Sequence, residues 1–155
     1  MSDVSLIEKE KITVQYIVVR IGGEQYGIDI SYIDNIVRMT KITRVPKAPR
    51  HYLGVINLRG EVVPVMSLHR KMDLGEDDVT NASRIIILKV EGQGLLGVVV
   101  DEVKEVLTLS EDDIDRTTNS SYDRKDSFIN GVGKNGQELV SIFEISSILN
   151  EGDAS

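Results

Sequence analysis

The chain has no cysteine and no tryptophan, and only two phenylalanines and three prolines among its 155 residues. Without cysteine, disulfides, thiolate metal centres and cysteine nucleophiles are excluded outright. With five tyrosines as the main aromatic complement, a folded core has to be aliphatic. No run approaches the roughly 18 apolar residues of a membrane-spanning helix, and the polar first residues do not resemble a secretory leader. A soluble, intracellular protein is expected. The two histidines, His51 and His69, stand alone in sequence and read as surface or turn residues rather than general bases. No His-x-x-x-His or Glu-x-x-His spacing offers metal ligands. Gly22-Gly23 and Gly92-Gln93-Gly94 lack phosphate-loop spacing, and no Gly-x-Ser-x-Gly nucleophile pattern occurs. The cluster Glu111-Asp112-Asp113 with Asp115 lacks the glycine turn and terminal glutamate of a calcium loop. The expectation is a binding module without catalysis, metal or cofactor.

Formal net charge is −7, which disfavours non-specific attraction to phosphate backbones. The local exception is the run Arg38, Lys41, Arg44, Lys47, Arg50 and His51. Lacking interleaved aromatics on which bases could stack, it reads as a solvated or protein-facing surface.

What the chain does have is strands. Residues 54–68 place two apolar runs around Arg59-Gly60, a β-hairpin signal. Pro64 in the second run calls for a sheet edge or a bulge. Residues 14–21 and 25–30 flank Gly22-Gly23, 84–90 and 95–100 flank the Gly92 turn, and 129–133 and 137–142 flank Asn135-Gly136. Ser31 is expected to cap a short helix with Ile33 and Ile36-Val37 on one face. Asp101 is expected to do the same for Val103 and Val106-Leu107. Residues 39–50 read as irregular, 68–72 as a helical turn, 73–82 and 110–127 as polar loops, and 143–149 as a closing helix.

The pattern repeats. A shift of 70 carries Gly22, Gly27, Ile28, Ile30, Ile33 and Ile36 onto Gly92, Gly97, Val98, Val100, Val103 and Val106; a shift of 77 carries Gly54, Val55, Glu61, Val62, Val63 and Val65 onto Gly131, Val132, Glu138, Leu139, Val140 and Ile142. Units this small cannot each bury a core alone. Two small antiparallel β-barrels packed over one aliphatic centre are expected.

Four ordered motifs carry a resemblance: Glu24-Gln25-Tyr26-Gly27-Ile28-Asp29-Ile30; Gly54-Val55-Ile56-Asn57-Leu58-Arg59-Gly60 with Val63-Pro64-Val65; Gly97-Val98-Val99-Val100-Asp101-Glu102-Val103; and Phe128-Ile129-Asn130-Gly131-Val132-Gly133. Over about residues 14–149 the chain resembles the chemotaxis coupling proteins of the CheW family. The resemblance implies an all-β fold of two intertwined five-stranded SH3-like barrels around a shared core, with a short C-terminal helix. It implies one domain over residues 12–150, flexible tails at 1–11 and 151–155, and a protein monomeric when free. The implied function is non-catalytic. It joins the cytoplasmic coiled-coil tip of chemoreceptors to the regulatory domain of the histidine kinase CheA, in the cytoplasm at membrane-associated receptor arrays, with no membrane insertion and no nucleic acid. The matching receptor-binding positions are Ile28, Ile30, Ile33, Asn35, Ile36, Gly54, Arg59, Val98, Val100 and Val103. The kinase-binding positions are Ile42, Leu53, Val62 and Asp115. Ser67 stands where the family often has aspartate, and Asn35 where it often has glutamate. The alternative from the basic run is an SH3-like barrel that binds nucleic acid.

Overall fold

The computed structural model describes residues 12–92, 94–116 and 128–149. The expected tails and most of the polar segment 110–127 lie outside these residues. Eleven strands run in chain order: β1 (Thr13–Ile21), β2 (Glu24–Asp29), β3 (Ile33–Arg38), β4 (Tyr52–Leu58), β5 (Glu61–Ser67), β6 (Arg84–Val90), β7 (Gly94–Val100), β8 (Glu102–Ser110), β9 (Ile114–Asp115), β10 (Ile129–Asn135) and β11 (Glu138–Phe143). Two helices of one turn, α1 (Leu68–Lys71) and α2 (Ile145–Ile148), follow the β4–β5 and β10–β11 hairpins. The all-β class is as expected.

The strands form two sheets, ordered β8-β1-β2-β11-β10-β9 and β3-β6-β7-β5-β4. Under the sequence repeat, β1, β2, β3, β4 and β5 correspond to β6, β7, β8, β10 and β11. The two five-stranded orders are then identical, and each sheet takes two strands from one half of the chain and three from the other. The parallel contact Ile142↔Gly27 in the first sheet has its counterpart in Val65↔Gly97 in the second. Even the sixth strand has an echo, since the pairing Asp115↔Val132 corresponds to the single bridge Thr43↔Val55. The repeat is a structural one.

Two expected helices are strands instead. Asp29, not Ser31, caps a 3-10 turn at Ile30–Tyr32, accepting from the Ser31 backbone N–H at 2.9 Å. Ile33–Arg38 then runs extended and pairs with β6, just as Glu102–Ser110 pairs with β1. The apolar spacing that suggested helices here comes from strands with a register slip, between Ile33 and Asn35 in one and opposite Val18/Val19 in the other. Bulges of this kind shift which residues face inward and so blur a period of two. Pro64 lies in a strand flanked on both sides, but the β7 ladder starts only at Val65.

Alternation sorts the apolar side chains into three clusters. Leu96, Val98 and Val100 of β7, Val19 and Ile21 of β1, and Ile86 and Leu88 of β6 meet between the sheets, with Leu68, Met72, Phe143, Ile145 and Ile148 around them. The opposite faces fill a second cluster inside the first sheet (Tyr16, Val18, Leu109, Val140, Ile142) and a third inside the second (Ile56, Val63, Val65, Ile85, Ile87, Val99). Strands buried on both faces carry continuous apolar runs, which is why Ile85-Ile86-Ile87-Leu88 reads as it does. Each sheet rolls around its own cluster until its ends approach. Arg59, at the end of β4, meets Asp34 of β3 at 3.4 Å, and Asn135 of β10 donates to Glu105 of β8 at 2.5 Å.

Gly97 and its counterpart Gly27 lie where a side chain would strike this packing. A methyl group at Gly97 would come within 2.8 Å of Ile85 Cγ2 and 3.5 Å of the Pro64 carbonyl oxygen. Gly97→Ala is therefore expected to lower stability by about 1–3 kcal/mol, read as a reduced urea midpoint. Gly23→Ala, with open space around it, should leave the midpoint nearly unchanged. Glu144, just before α2, accepts from Asn130 Nδ2 and Ser146 Oγ at 2.7 Å each, which holds its carboxyl below the usual glutamate range. A depressed carboxylate stabilises the fold above its unfolded pKa, and that contribution disappears as pH falls through the folded one. Asn130→Ala should raise the Glu144 pKa in an NMR titration and move acid unfolding to higher pH.

Candidate functional site

The expected receptor-binding positions divide by depth. Ile28, Val98 and Val100 are 1%, 1% and 0% exposed and belong to the cluster between the sheets. Their side chains have no surface to offer, and any role they have in recognition is to support what lies above them. Ile33 and Val103, counterparts in the repeat, are half-buried at the margin of that same cluster. Both begin strands that cross from one sheet to the other, so they stand at the seam. Three residues further along, Ile36 is 36% exposed and its counterpart Val106 is 53% exposed. Tyr32, in the turn before β3, is 44% exposed. Tyr32 and Val106 had not been singled out from the sequence, although Val106 appears in the repeat beside Ile36. Large apolar side chains left in water at paired positions mark an interaction surface better than buried ones do.

Around this seam lie the polar members. Arg59 occupies the β4–β5 turn with φ 51°, well exposed, and its guanidinium reaches Asp34 on the outward face of β3 beside Ile36. The turn is also fastened by the Gly60 N–H donating to Asn57 Oδ1 at 3.0 Å, so Arg59 is not needed to hold the hairpin. Asn35 points the other way along β3, half-buried, with its Oδ1 shielded from solvent and unbonded. Ile30 is half-buried in the 3-10 turn. Gly54 is buried at φ 148°, and a methyl group there would come within 2.1 Å of the Thr43 carbonyl oxygen. Gly54 admits the 39–50 segment against β4 and has no side chain to present.

The expected kinase-binding positions fall at two places. Ile42 and Leu53 are half-buried against the inner cluster of the second sheet and share the wall of a cavity of about 560 Å³ with Met39, Tyr52 and Val79. Val62 is 66% exposed on the outward face of the β4–β5 hairpin, opposite Asn57. Leu139, its counterpart on β11, is 61% exposed beside Val132 and Asp115, the last lying on β9. The two lobes thus present matching apolar side chains on their outer hairpins.

Arg50 pairs with Glu76 at 3.4 Å, Arg70 reaches the same carboxylate at 2.8 Å, and His51 is buried. His69 is buried as well, at 6% exposure, with Nε2 2.9 Å from Asp101 Oδ1. His51 lies in a turn, as expected, but is buried there, whereas His69 lies on α1, buried against a carboxylate 32 residues away. Ser67 Oγ donates to Asp77 at 2.5 Å and accepts from the Arg70 N–H as the cap of α1. A capping hydroxyl committed to a carboxylate is not poised as a nucleophile. In the pocket around Arg116, that guanidinium is bound to Glu111 and Asn130. Hydrogen bonding from Arg116 lowers the Glu111 pKa, while burial and then Asp29 raise that of Tyr16. These groups neutralise one another.

Among the described residues, no helix is long and apolar enough to cross a membrane. The family model of the CheW-like domain matches residues 15–153. The chain is 32% identical over 135 residues to the chemotaxis protein CheW of Bacillus subtilis, covering 87% of this chain and 86% of that one. It is 33% identical over 142 residues to the chemotaxis protein CheW of Helicobacter pylori, covering 92% and 85%. The crystal structure of scaffolding protein TtCheW from Thermoanaerobacter tengcongensis superposes with a TM-score of 0.78 at 30% identity over 86% of each chain. Two rolled sheets with exchanged strands and a seam of paired apolar residues agree with those matches, and the chain belongs to the CheW family of non-catalytic chemotaxis scaffolds.

Proposed function

We propose that this scaffold couples chemoreceptors to the histidine kinase CheA, acting in the cytoplasm at membrane-associated receptor arrays. The observation that carries the reading is the seam, where Ile33 and Val103, half-buried, and Ile36, exposed, flank the margin of the shared core. A helical receptor tip laid along it would bury these side chains at about 25 cal/mol per Å² of apolar surface, less the cost of ordering. Arg59 supplies a planar fork of donors beside them, exchanging its exposed Asp34 partner for a receptor carboxylate or retaining both. Ile28, Val98 and Val100 set the floor, and Ile30, Asn35 and Gly54 shape the flanks. The kinase's regulatory domain would dock on the second sheet's outer end, over Val62 with Ile42 and Leu53, and a further kinase contact would fall near Asp115.

Arg59→Ala is expected to leave the urea midpoint within about 0.5 kcal/mol of the wild type, since exposed ion pairs contribute little. It should reduce receptor-dependent kinase activation in a reconstituted assay. Unchanged activation would remove Arg59 from the contact. Val62→Asp should weaken kinase binding at least about tenfold while leaving receptor binding near the wild-type value, because it places a charge in one docking face only. Equal loss of both in pull-downs would count against the assignment. A nucleic-acid role would instead show as salt-dependent retention of RNA or DNA, and the net charge of −7 argues for no retention.

A further inference from the structure

We propose that the cavity beside Arg44, at the open end of the second sheet, receives an acidic segment of the partner docked there and that Arg44 clasps its carboxylate, a contact that rests on the docking of the kinase's regulatory domain proposed above. The repeat locates this arginine. Val55 and Val132 are counterparts, and each is bridged by a residue of the preceding connection, Thr43 in one half and Asp115 in the other. Ile42-Thr43-Arg44 thus corresponds to Ile114-Asp115-Arg116. The glycines alongside agree: a methyl group at Gly54 would meet the Arg44 Cα at 3.0 Å, and one at Gly131 would meet the Arg116 Cγ at 3.3 Å.

In the first sheet the arginine is saturated. Glu111 holds Arg116 through both carboxylate oxygens, and Asn130 accepts from it at Oδ1, 2.8 Å away, and at the carbonyl oxygen, 3.0 Å away. The cavity left beside it is about 220 Å³. The second sheet lacks both partners. Where Ser110-Glu111-Asp112-Asp113 precedes Ile114, only Thr40-Lys41 precedes Ile42, and the counterpart of Asn130 is Leu53. Arg44 is exposed, and among the described residues it has no hydrogen-bond or ion-pair partner. Its cavity is about 560 Å³, with Lys47, Arg50 and Arg70 also on the wall against Glu76 and Asp77. Both of those acids are engaged, Glu76 by Arg50 and Arg70, and Asp77 by Ser67. The cavity therefore carries an uncompensated positive charge over an apolar wall of Ile42 and Leu53. On a chain of net charge −7, this local reversal of sign draws acidic groups to one end. A guanidinium grips a carboxylate with two parallel donors, as Arg116 does with Glu111. The occupant that fits is a loop bearing Glu or Asp beside an apolar side chain, the carboxylate on Arg44 and the apolar group on Ile42 and Leu53.

The test is calorimetric titration of the full chain with the kinase's regulatory domain. Arg44→Ala is expected to weaken binding at least about tenfold. Arg44→Lys should weaken it less, because it keeps the charge without the fork, and Lys41→Ala, a cation of the same segment outside the cavity, should not weaken it. Binding should fall with rising salt, and less steeply in Arg44→Ala. The urea midpoint should be the same in all three variants, since none of these side chains is engaged in the fold. Full binding by Arg44→Ala with Val62→Asp defective would overturn the acidic contact and leave the docking in place. Full binding by both would overturn the docking and the contact with it. Equal losses in Arg44→Ala and Lys41→Ala would overturn the specific clasp. RNA retained through Arg44, with kinase binding unaffected by its removal, would overturn it in favour of a nucleic acid.

Discussion

The structure depends on the exchange of strands between its two sheets. Each half of the chain lays down a hairpin, β1–β2 or β6–β7, and then sends its next strand to the edge of the other half's hairpin. Neither five-stranded order can be completed from one half alone. The exchange creates the shared cluster, because the strands leading into the crossings are buried on both faces. A duplicated unit of this size could not enclose enough apolar surface by itself. Interleaving two copies gives each a second wall, and the cluster between the sheets is where those walls meet.

The same crossing generates the seam. A strand that leaves one sheet for the other passes over the boundary between them, and its first residues cannot be covered fully by either. Ile33 and Val103 are half-buried for this reason, and Ile36 and Val106 are left in water a few residues on. The proposed receptor surface thus coincides with the place where the topology leaves apolar side chains without cover. The outer hairpins follow a different logic. Val62 and Leu139 point away from rolled sheets whose interiors are already filled, so they stand exposed on the outer hairpins.

Much of this was legible in the chain. The continuous runs at 84–90 and 95–100 announced strands covered on both faces, and glycines at 27, 97, 54 and 131 announced a repeat because each admits a neighbouring segment too close for a side chain. The helices assigned to β3 and β8 were not strands by any local signal. Spacings of three and four there reflect a register slip and partial cover, both set by the partner strand. Depth was harder still: alternation said that Ile28 and Val98 share a face with their second neighbours, but not whether that face met solvent or a second sheet. The pairing of His69 with Asp101, 32 residues apart, had no local spacing to betray it.

The interleaved order also governs how the chain can reach its final form. β1 cannot acquire its second neighbour until β8 exists, and β2 waits for β11, whose last residue is Phe143. A nascent chain on the ribosome would hold its early hairpins with open edges until nearly all of it had emerged. Pairings of such long sequence separation form slowly and leave apolar edges available to the wrong partner meanwhile. Neither sheet of this scaffold can therefore close before strands from the second half of the chain are available.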